Sequence, residues 1–436
     1  MGDILNYIEA MEYIENTSKY GNNTGTKRVE KILDILGNPQ KKLKCIHVAG
    51  TNGKGSITSM ITSILIESGF RVGMYTSPYI EEFEERIQIN RENISKSDLA
   101  YYTTLVSEAI DKVVLMGWGH PTEFEIITCI MFLYYSKKEI DYAVIEVGLG
   151  GKSDSTNVIK PLVSIITSIS YDHVNILGNT IEEIASEKAG IIKENVPVIV
   201  YPQQKEGAFQ VVEKTCREKN SELIQIDKNS IYHIPNKEFN KSYQFLKINT
   251  NKDEYEVQLS LLGSHQSMNC TVAIYAIEEL IKLGVKIRKE DILRGLSNVK
   301  WPGRLEMLKR NPLVVLDGAH NLDGITKLKE SIERYFKYNK LVLIIGILTD
   351  KDVEMMVESI TPMANQVIAI TPNSYRGKKS RDLLKIIEKY NENCQALEDY
   401  EEACNKALSY CNEDDMILIC GSLYMIGDMR KIIKDN

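Results

Sequence analysis

No apolar run in these 436 residues approaches the roughly 18–20 that a membrane span requires. The opening stretch, MGDILNYIEAMEYIEN, is acidic and amphipathic, so it does not read as a secretory signal. These two absences predict a cytoplasmic protein with no membrane partner. Positive charge is also short. Lys and Arg number 53 against 60 Asp and Glu, for a net charge of −7. That balance argues against a nucleic-acid partner, and an anionic substrate would need local cations, a metal or helix N-termini to hold it. The eight cysteines are scattered, with no CxxC pair. Cys129 and Cys420, set in apolar runs, read as small buried hydrophobes of a reducing compartment. There is no internal repeat, no low-complexity tract, and no Ser-His-Asp or Cys-His signature for a side-chain nucleophile.

What is present is a globular composition, 43% hydrophobic and 26% charged, in a chain long enough for two domains. Short β-rich runs (43–49, 142–147, 162–169 and 196–201) alternate with longer amphipathic segments. Two of these segments open on capping boxes, Thr122-Glu-Phe-Glu125 and Thr180-Ile-Glu-Glu183, in which hydroxyl and carboxylate satisfy free backbone N–H groups. The alternation predicts an α/β fold with a mostly parallel sheet covered by helices on both faces. Residues 243–249 and 255–261 alternate in period two around Thr250-Asn-Lys-Asp253 and predict a hairpin at the edge of the first domain. A helix from about His265 to Leu283 follows. The Pro- and Gly-containing stretch Ser297–Arg304 lacks periodicity and places the domain junction there, giving domains at 1–297 and 298–436. Strands near 313–316, 340–347, 366–371 and 415–420 then predict a smaller, Rossmann-like C-terminal α/β domain.

The sharpest local signal is Cys45-Ile-His-Val-Ala-Gly-Thr-Asn-Gly-Lys-Gly-Ser56. A strand runs into Gly50, Gly53 and Gly55 around Lys54, and a helical pattern follows. Glycines let backbone approach phosphate oxygens, the helix N-terminus offers free N–H groups, and Lys54 adds a point charge. Ser56 is placed to offer its hydroxyl to a phosphate-bridging magnesium. The common P-loop pattern is not matched literally: Val48 replaces its first glycine, and Gly55 separates Lys54 from Ser56.

The segment HVAGTNGKGS resembles the ATP loop of the folylpolyglutamate synthase/dihydrofolate synthase family, a branch of the Mur-ligase superfamily. YTSPYIEEFEERIQIN (75–90), TEFEIIT (122–128), EVGLGGKSDSTNV (146–158), DHVNILGNTIEEIASEKAGIIK (172–193), GSHQSMN (263–269), WPGRLE (301–306) and LDGAHN (316–321) follow the family's order. The last 80 residues match only in general α/β character. The resemblance implies that Gly50, Thr51, Asn52, Gly53, Lys54, Gly55 and Ser56 hold ATP. On position alone Glu146, at a strand end, reads equally as a turn residue, and His173 of the Asp172-His173 pair as a structural histidine. The resemblance makes both magnesium ligands beside Ser56, around two ions. Lys188 reads from composition as a surface lysine; the resemblance implies a carbamylated lysine near the metal, which requires a lowered pKa to expose a neutral amine. It also assigns Asn269, Arg304, Asp317 and His320 to the nucleotide, so that ATP would span the two domains and catalysis would need closure. Ser77, Tyr79, Arg86, Thr122 and Phe124 would form the pterin side, with Phe124 either stacking on the ring or serving as the first core residue of its helix.

The implied reaction is an ATP-dependent ligation in which a folate-type carboxylate becomes an acyl phosphate and glutamate's amine displaces phosphate. The catalytic set would be Lys54, Glu146, His173 and Lys188, acting by positioning and electrostatics. The partners would be small molecules (folate or dihydropteroate, and L-glutamate), and the family default is a monomer. A cell-wall amino-acid ligase of the same superfamily is disfavoured, because only 49 residues precede Gly50. A P-loop NTPase switch would leave the DGAHN segment without a role.

Overall fold

The computed structural model describes residues 4–17, 25–234 and 238–435, so Met1–Asp3 of the opening segment lie outside the described residues. By its contacts the chain divides into two compact units. The first comprises Met1–Ser230, Asn249–Glu254 and Asn269–Leu296, and the second Ile231–Ile248, Tyr255–Met268 and Ser297–Asn436.

In the first unit eight strands form one sheet: β1 (Cys45–Ala49), β2 (Val72–Tyr75), β3 (Ile87–Ile89), β4 (Glu92–Asn93), β5 (Tyr142–Glu146), β6 (Val163–Ile166), β7 (Val198–Val200) and β8 (Leu223–Gln225), in the order β4-β3-β2-β5-β1-β6-β7-β8. Strands β2 to β8 through β5, β1, β6 and β7 run parallel, and β3 and β4 close one edge antiparallel. Strands β1, β5 and β6 carry continuous apolar runs and are buried along their whole length, as a parallel sheet covered on both faces requires. One helical face contributes Ile126 to Tyr135 to a core with Tyr75, Ile145 and Val106. The other packs Ile184, Ala185 and Val212 against Ile166 and Val198. Cys129 and Cys420 are buried, and burial pushes both thiols up.

The second unit holds a three-stranded antiparallel sheet and a six-stranded sheet. The first joins β9 (Ile231–Ile234), β10 (Gln244–Asn249) and β11 (Glu254–Leu259) in the order β11-β10-β9. The expected hairpin is therefore present, but it pairs with β9 in its own sheet instead of edging the large one. The six-stranded sheet is built from β12 (Glu306–Arg310), β13 (Leu313–Leu316), β14 (Leu341–Ile345), β15 (Gln366–Ala369), β16 (Cys394–Ala396) and β17 (Met416–Cys420), in the order β12-β13-β17-β14-β15-β16. Only β12 pairs antiparallel within it. The carboxyl ends of β13, β17, β14 and β15 thus open side by side on one rim, the place where open parallel sheets bind ligands. Among the described residues no helix is long and apolar enough to cross a membrane.

Candidate active site

Strand β1 lies between β5 and β6 and delivers the glycine loop to the centre of the sheet's carboxyl edge. Gly50 has φ +152°, and a Cβ there would fall 1.7 Å from Thr167 Oγ1, so only glycine fits. Gly53 precedes the helix Lys54–Glu67 in the left-handed region at φ +89°, and its absent Cβ would meet Asn269 Oδ1 at 2.6 Å. The loop between them is sewn to the segment after β6. Thr51 N–H donates to Ser168 O at 2.8 Å and Thr51 Oγ1 to Ser170 O at 3.1 Å, while Thr167 Oγ1 donates to Asn52 O at 2.8 Å. The first N–H groups of an α-helix lie beyond the reach of its own i→i−4 ladder, and here that helix end follows directly from the loop. Lys54 Nζ turns back onto Gly50 O at 3.1 Å and Thr51 O at 3.2 Å. Gly55 and the buried Ser56 occupy the first helical turn.

Below the loop, His47 Nε2 meets Thr156 Oγ1 at 2.8 Å, and Thr156 Oγ1 donates to Asp154 Oδ1. Burial, helped by Lys193, holds His47 down at about 3, so it stays neutral and ties β1 to the segment after β5. His47, Asp154 and Thr156 all lie in the quoted motif segments, but no local pattern showed that they pair, nor the role of Thr167 and Ser168. For the latter pair the available signal was two hydroxyl residues at the end of an apolar strand.

Glu146 ends β5 in register with Val48, is buried, and accepts from Ser77 N–H at 3.3 Å. His173 has φ +50° and donates its backbone N–H to Asp172 Oδ1 at 2.9 Å. Its ring Nε2 lies 3.9 Å from that oxygen. Lys188 sits near the end of the helix Ile181–Ala189 and is 4% exposed, so the surface-lysine reading fails. Its Nζ donates to Gly50 O at 2.9 Å, the carbonyl that Lys54 also uses. Burial first, and then the Lys54 charge, lower the Lys188 ammonium to about 7, with Asp172 and Glu187 opposing. The helix end is locked against the Gly148–Lys152 turn by Lys152 N–H donating to Glu187 O at 2.7 Å. A Cβ on Gly151 would come within 2.8 Å of Lys188 O. Among the described residues, no three His, Cys, Asp or Glu side chains are grouped to hold a metal by themselves.

The aromatic loop after β2 gathers Tyr79, Phe83 and Arg86. The Arg86 guanidinium lies 5.2 Å over the Tyr79 ring and 5.5 Å over Phe83, and 3.8 Å from Glu123. Arg86 Nε is buried with no hydrogen-bond partner. Phe124 packs on Gly148, where a Cβ would be 2.4 Å from its Cζ, and tilts 6.1 Å from Tyr75. Phe124 is therefore partly a packing residue, although its ring is not fully buried. Thr122 caps the helix Glu123–Lys137: its hydroxyl accepts from Glu125 N–H at 3.3 Å, and Glu125 Oε2 accepts from Thr122 N–H at 2.8 Å. Glu125 is in turn gripped by Arg28 through bonds of 3.0 and 2.6 Å, a pairing across 97 residues that no local pattern announced.

Asn269 lies inside the helix Ser264–Lys282, 1% exposed, against Gly53 in the first unit. The other three nucleotide candidates cluster in the second unit around the end of β13. Asp317 is buried and accepts from Leu305 N–H and Ala319 N–H, each at 2.8 Å. Burial raises its carboxyl, and Arg304 opposes that shift. Arg304 donates to Gly303 O at 3.0 Å, and a Cβ on Gly318 would strike its guanidinium. His320 Nδ1 is 2.8 Å from Gly318 O, a carbonyl that can only accept, so Nδ1 carries a proton.

Residues 48–277 match the family described as Mur ligase middle domain, and residues 303–423 that described as Mur ligase, glutamate ligase domain. The dihydrofolate synthase/folylpolyglutamate synthase of Bacillus subtilis is 37% identical over 431 residues, covering 98% of this chain and 99% of that protein. The folylpolyglutamate synthase of Lacticaseibacillus casei is 34% identical over 433 residues, covering 98% and 99%. Among solved structures, Mycobacterium tuberculosis folylpolyglutamate synthase complexed with ADP and AMPPCP aligns with a TM-score of 0.90 at 26% identity, covering 98% of this chain and 99% of that one.

Proposed function

Because the chain belongs to the folylpolyglutamate synthase/dihydrofolate synthase family of Mur ligases, we propose that it spends ATP to join L-glutamate to a folate-type carboxylate, tetrahydrofolate or dihydropteroate. The γ-phosphate transfers to the substrate carboxylate, giving an acyl phosphate and ADP. The glutamate amine then attacks the acyl carbon, phosphate leaves, and the amine's protons pass to solvent. The observation that carries this reading is the sheet-edge loop whose Gly50 carbonyl is shared by Lys54 and Lys188. The cationic Lys54 and a helix N-terminus meet there, where a polyphosphate needs them, in a protein whose net charge is −7.

Gly50 to Ser56 and Asn269 form the proposed nucleotide cradle of the first unit, and Arg304, Asp317 and His320 the proposed contacts from the second. A buried carboxylate at the end of β5 and a buried hydroxyl in the first helical turn make a hard-oxygen donor set that suits magnesium. Such an ion takes few protein ligands and completes its shell with phosphate and water. Glu146 and Ser56 are therefore its proposed holders, with His173 for a second ion; when bound, magnesium neutralises charge on the transferring phosphoryl group. Arg86, Tyr79, Ser77, Thr122 and Phe124 are the proposed pterin side. Lys188, held near neutrality, is the proposed carbamate. Mass spectrometry of the intact protein in bicarbonate would then show the added mass of one carbon dioxide, lost in the Lys188→Met protein.

Phosphate release from magnesium-ATP, with glutamate plus either dihydropteroate or tetrahydrofolate, tests the reaction. Turnover requiring both acceptor and glutamate is the expected result and names the acceptor. ATP hydrolysis indifferent to both would sink the ligase reading in favour of an NTPase.

A further inference from the structure

The rim of the six-stranded sheet carries one charged constellation to which no role has been given so far. Arg376 lies in the loop after β15, Asp350 in the loop after β14, and Tyr424 just after β17, so three neighbouring parallel strands contribute one residue each. Arg376 donates from one terminal nitrogen to Asp350 Oδ2 at 3.0 Å and from the other to Tyr424 OH at 3.3 Å. Its guanidinium carbon is 5.7 Å from the Tyr375 ring and 5.8 Å from the Tyr424 ring. Its Nε is buried and has no hydrogen-bond partner. About a third of the side chain, 29%, is nevertheless open to solvent.

The backbone under this arginine is fixed. Thr349 N–H donates to Arg376 O at 2.8 Å and Lys378 N–H to Ile347 O at 3.0 Å, zipping the two loops together. Gly377 allows the turn, since a Cβ there would lie 2.4 Å from Pro372 O. The neighbouring loop after β17 is tied to the segment after β13 by Gly421 N–H donating to Ala319 O at 3.0 Å. Arg376 therefore stands on the same rim as Asp317 and His320, on a preorganised platform.

We propose that Arg376 binds a carboxylate of the incoming amino acid, with Asp350 and Tyr424 as positioning residues that aim its guanidinium. The inference rests on the ligase reading above and assigns it an amino-acid subsite. A guanidinium is the group that recognises a planar carboxylate through paired N–H donors. This one is held in orientation from two sides, opens to solvent at the carboxyl rim of a parallel sheet, and keeps terminal N–H donors beyond the two those contacts use. A purely structural ion pair would need neither the convergence of three strand ends nor an unsatisfied donor. Arg376 and Asp350 lie within residues 303–423, matched as a glutamate ligase domain, and Tyr424 is the next residue after that span.

The test compares the parent protein with Arg376→Ala, Arg376→Gln and Arg376→Lys at saturating ATP and acceptor, with glutamate varied. Acyl-phosphate formation is read separately, without glutamate, by trapping with hydroxylamine: its nitrogen bonds to the acyl carbon, phosphate leaves, and hydroxamate is counted. The expected result is a KM for glutamate raised at least roughly 30-fold in Arg376→Ala and Arg376→Gln. Arg376→Lys should recover part of it, with the KM for ATP and the hydroxamate rate within about twofold of the parent. Discrimination against one of the two monoamides of glutamate should shrink in step, identifying which carboxylate is held. A glutamate KM within about threefold of the parent would overturn the proposal. So would a parallel fall of hydroxamate rate and glutamate turnover, which would mark a structural role. If Arg376→Ala does not fold, the glutamate KM of Arg376→Gln decides by the same thresholds. Absence of hydroxamate in the parent would instead refute the ligase reading, and this inference with it.

Discussion

Lys188 is a charge that the fold works against. Its ordinary value of 10.5 applies to the unfolded chain, while burial and Lys54 bring the folded value to about 7. Below about pH 7 both states carry the proton and the burial penalty is present in full. Between about pH 7 and 10.5 the unfolded chain binds the proton more tightly, so stability rises with pH across that window. In buffers stripped of carbon dioxide, urea unfolding of the parent should therefore show a steeper gain in stability from pH 7 to 9 than Lys188→Met. Equal slopes would mean that Lys188 is not charged at the expense of the fold. At this scale the sequence showed the glycines, Lys54 and the family resemblance of Glu146 and His173, because those lie in contiguous motifs. It did not show that Lys54 and Lys188 share one carbonyl across 138 residues, nor that Asn269 walls Gly53. Such pairings depend on which strands become neighbours, and no window of local sequence contains them.

The helix Glu123–Lys137 shows how one residue can serve an element twice. Its capping box was legible from Thr122-Glu-Phe-Glu125, since it needs only residues three apart. The second duty of Glu125, its ion pair with Arg28, was not. Their side chains are 3% and 14% exposed, so removing the arginine strands a buried carboxylate. Arg28→Ala should destabilise the protein by about 3 kcal/mol in urea unfolding. A loss under about 1 kcal/mol, the range of exposed pairs, would show that water reaches Glu125. Strand recognition followed the same logic: the central apolar strands β1, β5, β13 and β17 were read to within two residues at either end. Strands β3, β4, β8, β9 and β16 are only two to four residues long, and most carry polar or half-exposed positions, so neither hydrophobic period nor length marked them. The hairpin was found and its sheet misjudged, because its partner β9 leaves too weak a pattern to anticipate.

On the scale of the whole molecule, an acidic protein with a polyphosphate substrate must gather its cations locally. The structure does so by turning Lys54 back onto the glycine loop at a helix start, while most other lysines stay at the surface. Contacts inside such a loop are shielded from bulk salt. Composition had set that requirement, and the α/β rhythm had set the architecture; neither specified the strand order that meets it. The seat of Gly53 against Asn269 has a consequence in time as well as in space. Translation delivers the glycine loop early, but the side chain that walls it emerges more than two hundred residues later. Stalled nascent chains ending before Asn269 should fail to retain nucleotide on the ribosome, whereas chains long enough to expose the whole helix Ser264–Lys282 should retain it. The synthesis of this enzyme would then contain a long interval in which its most recognisable motif is already outside the ribosome and does nothing.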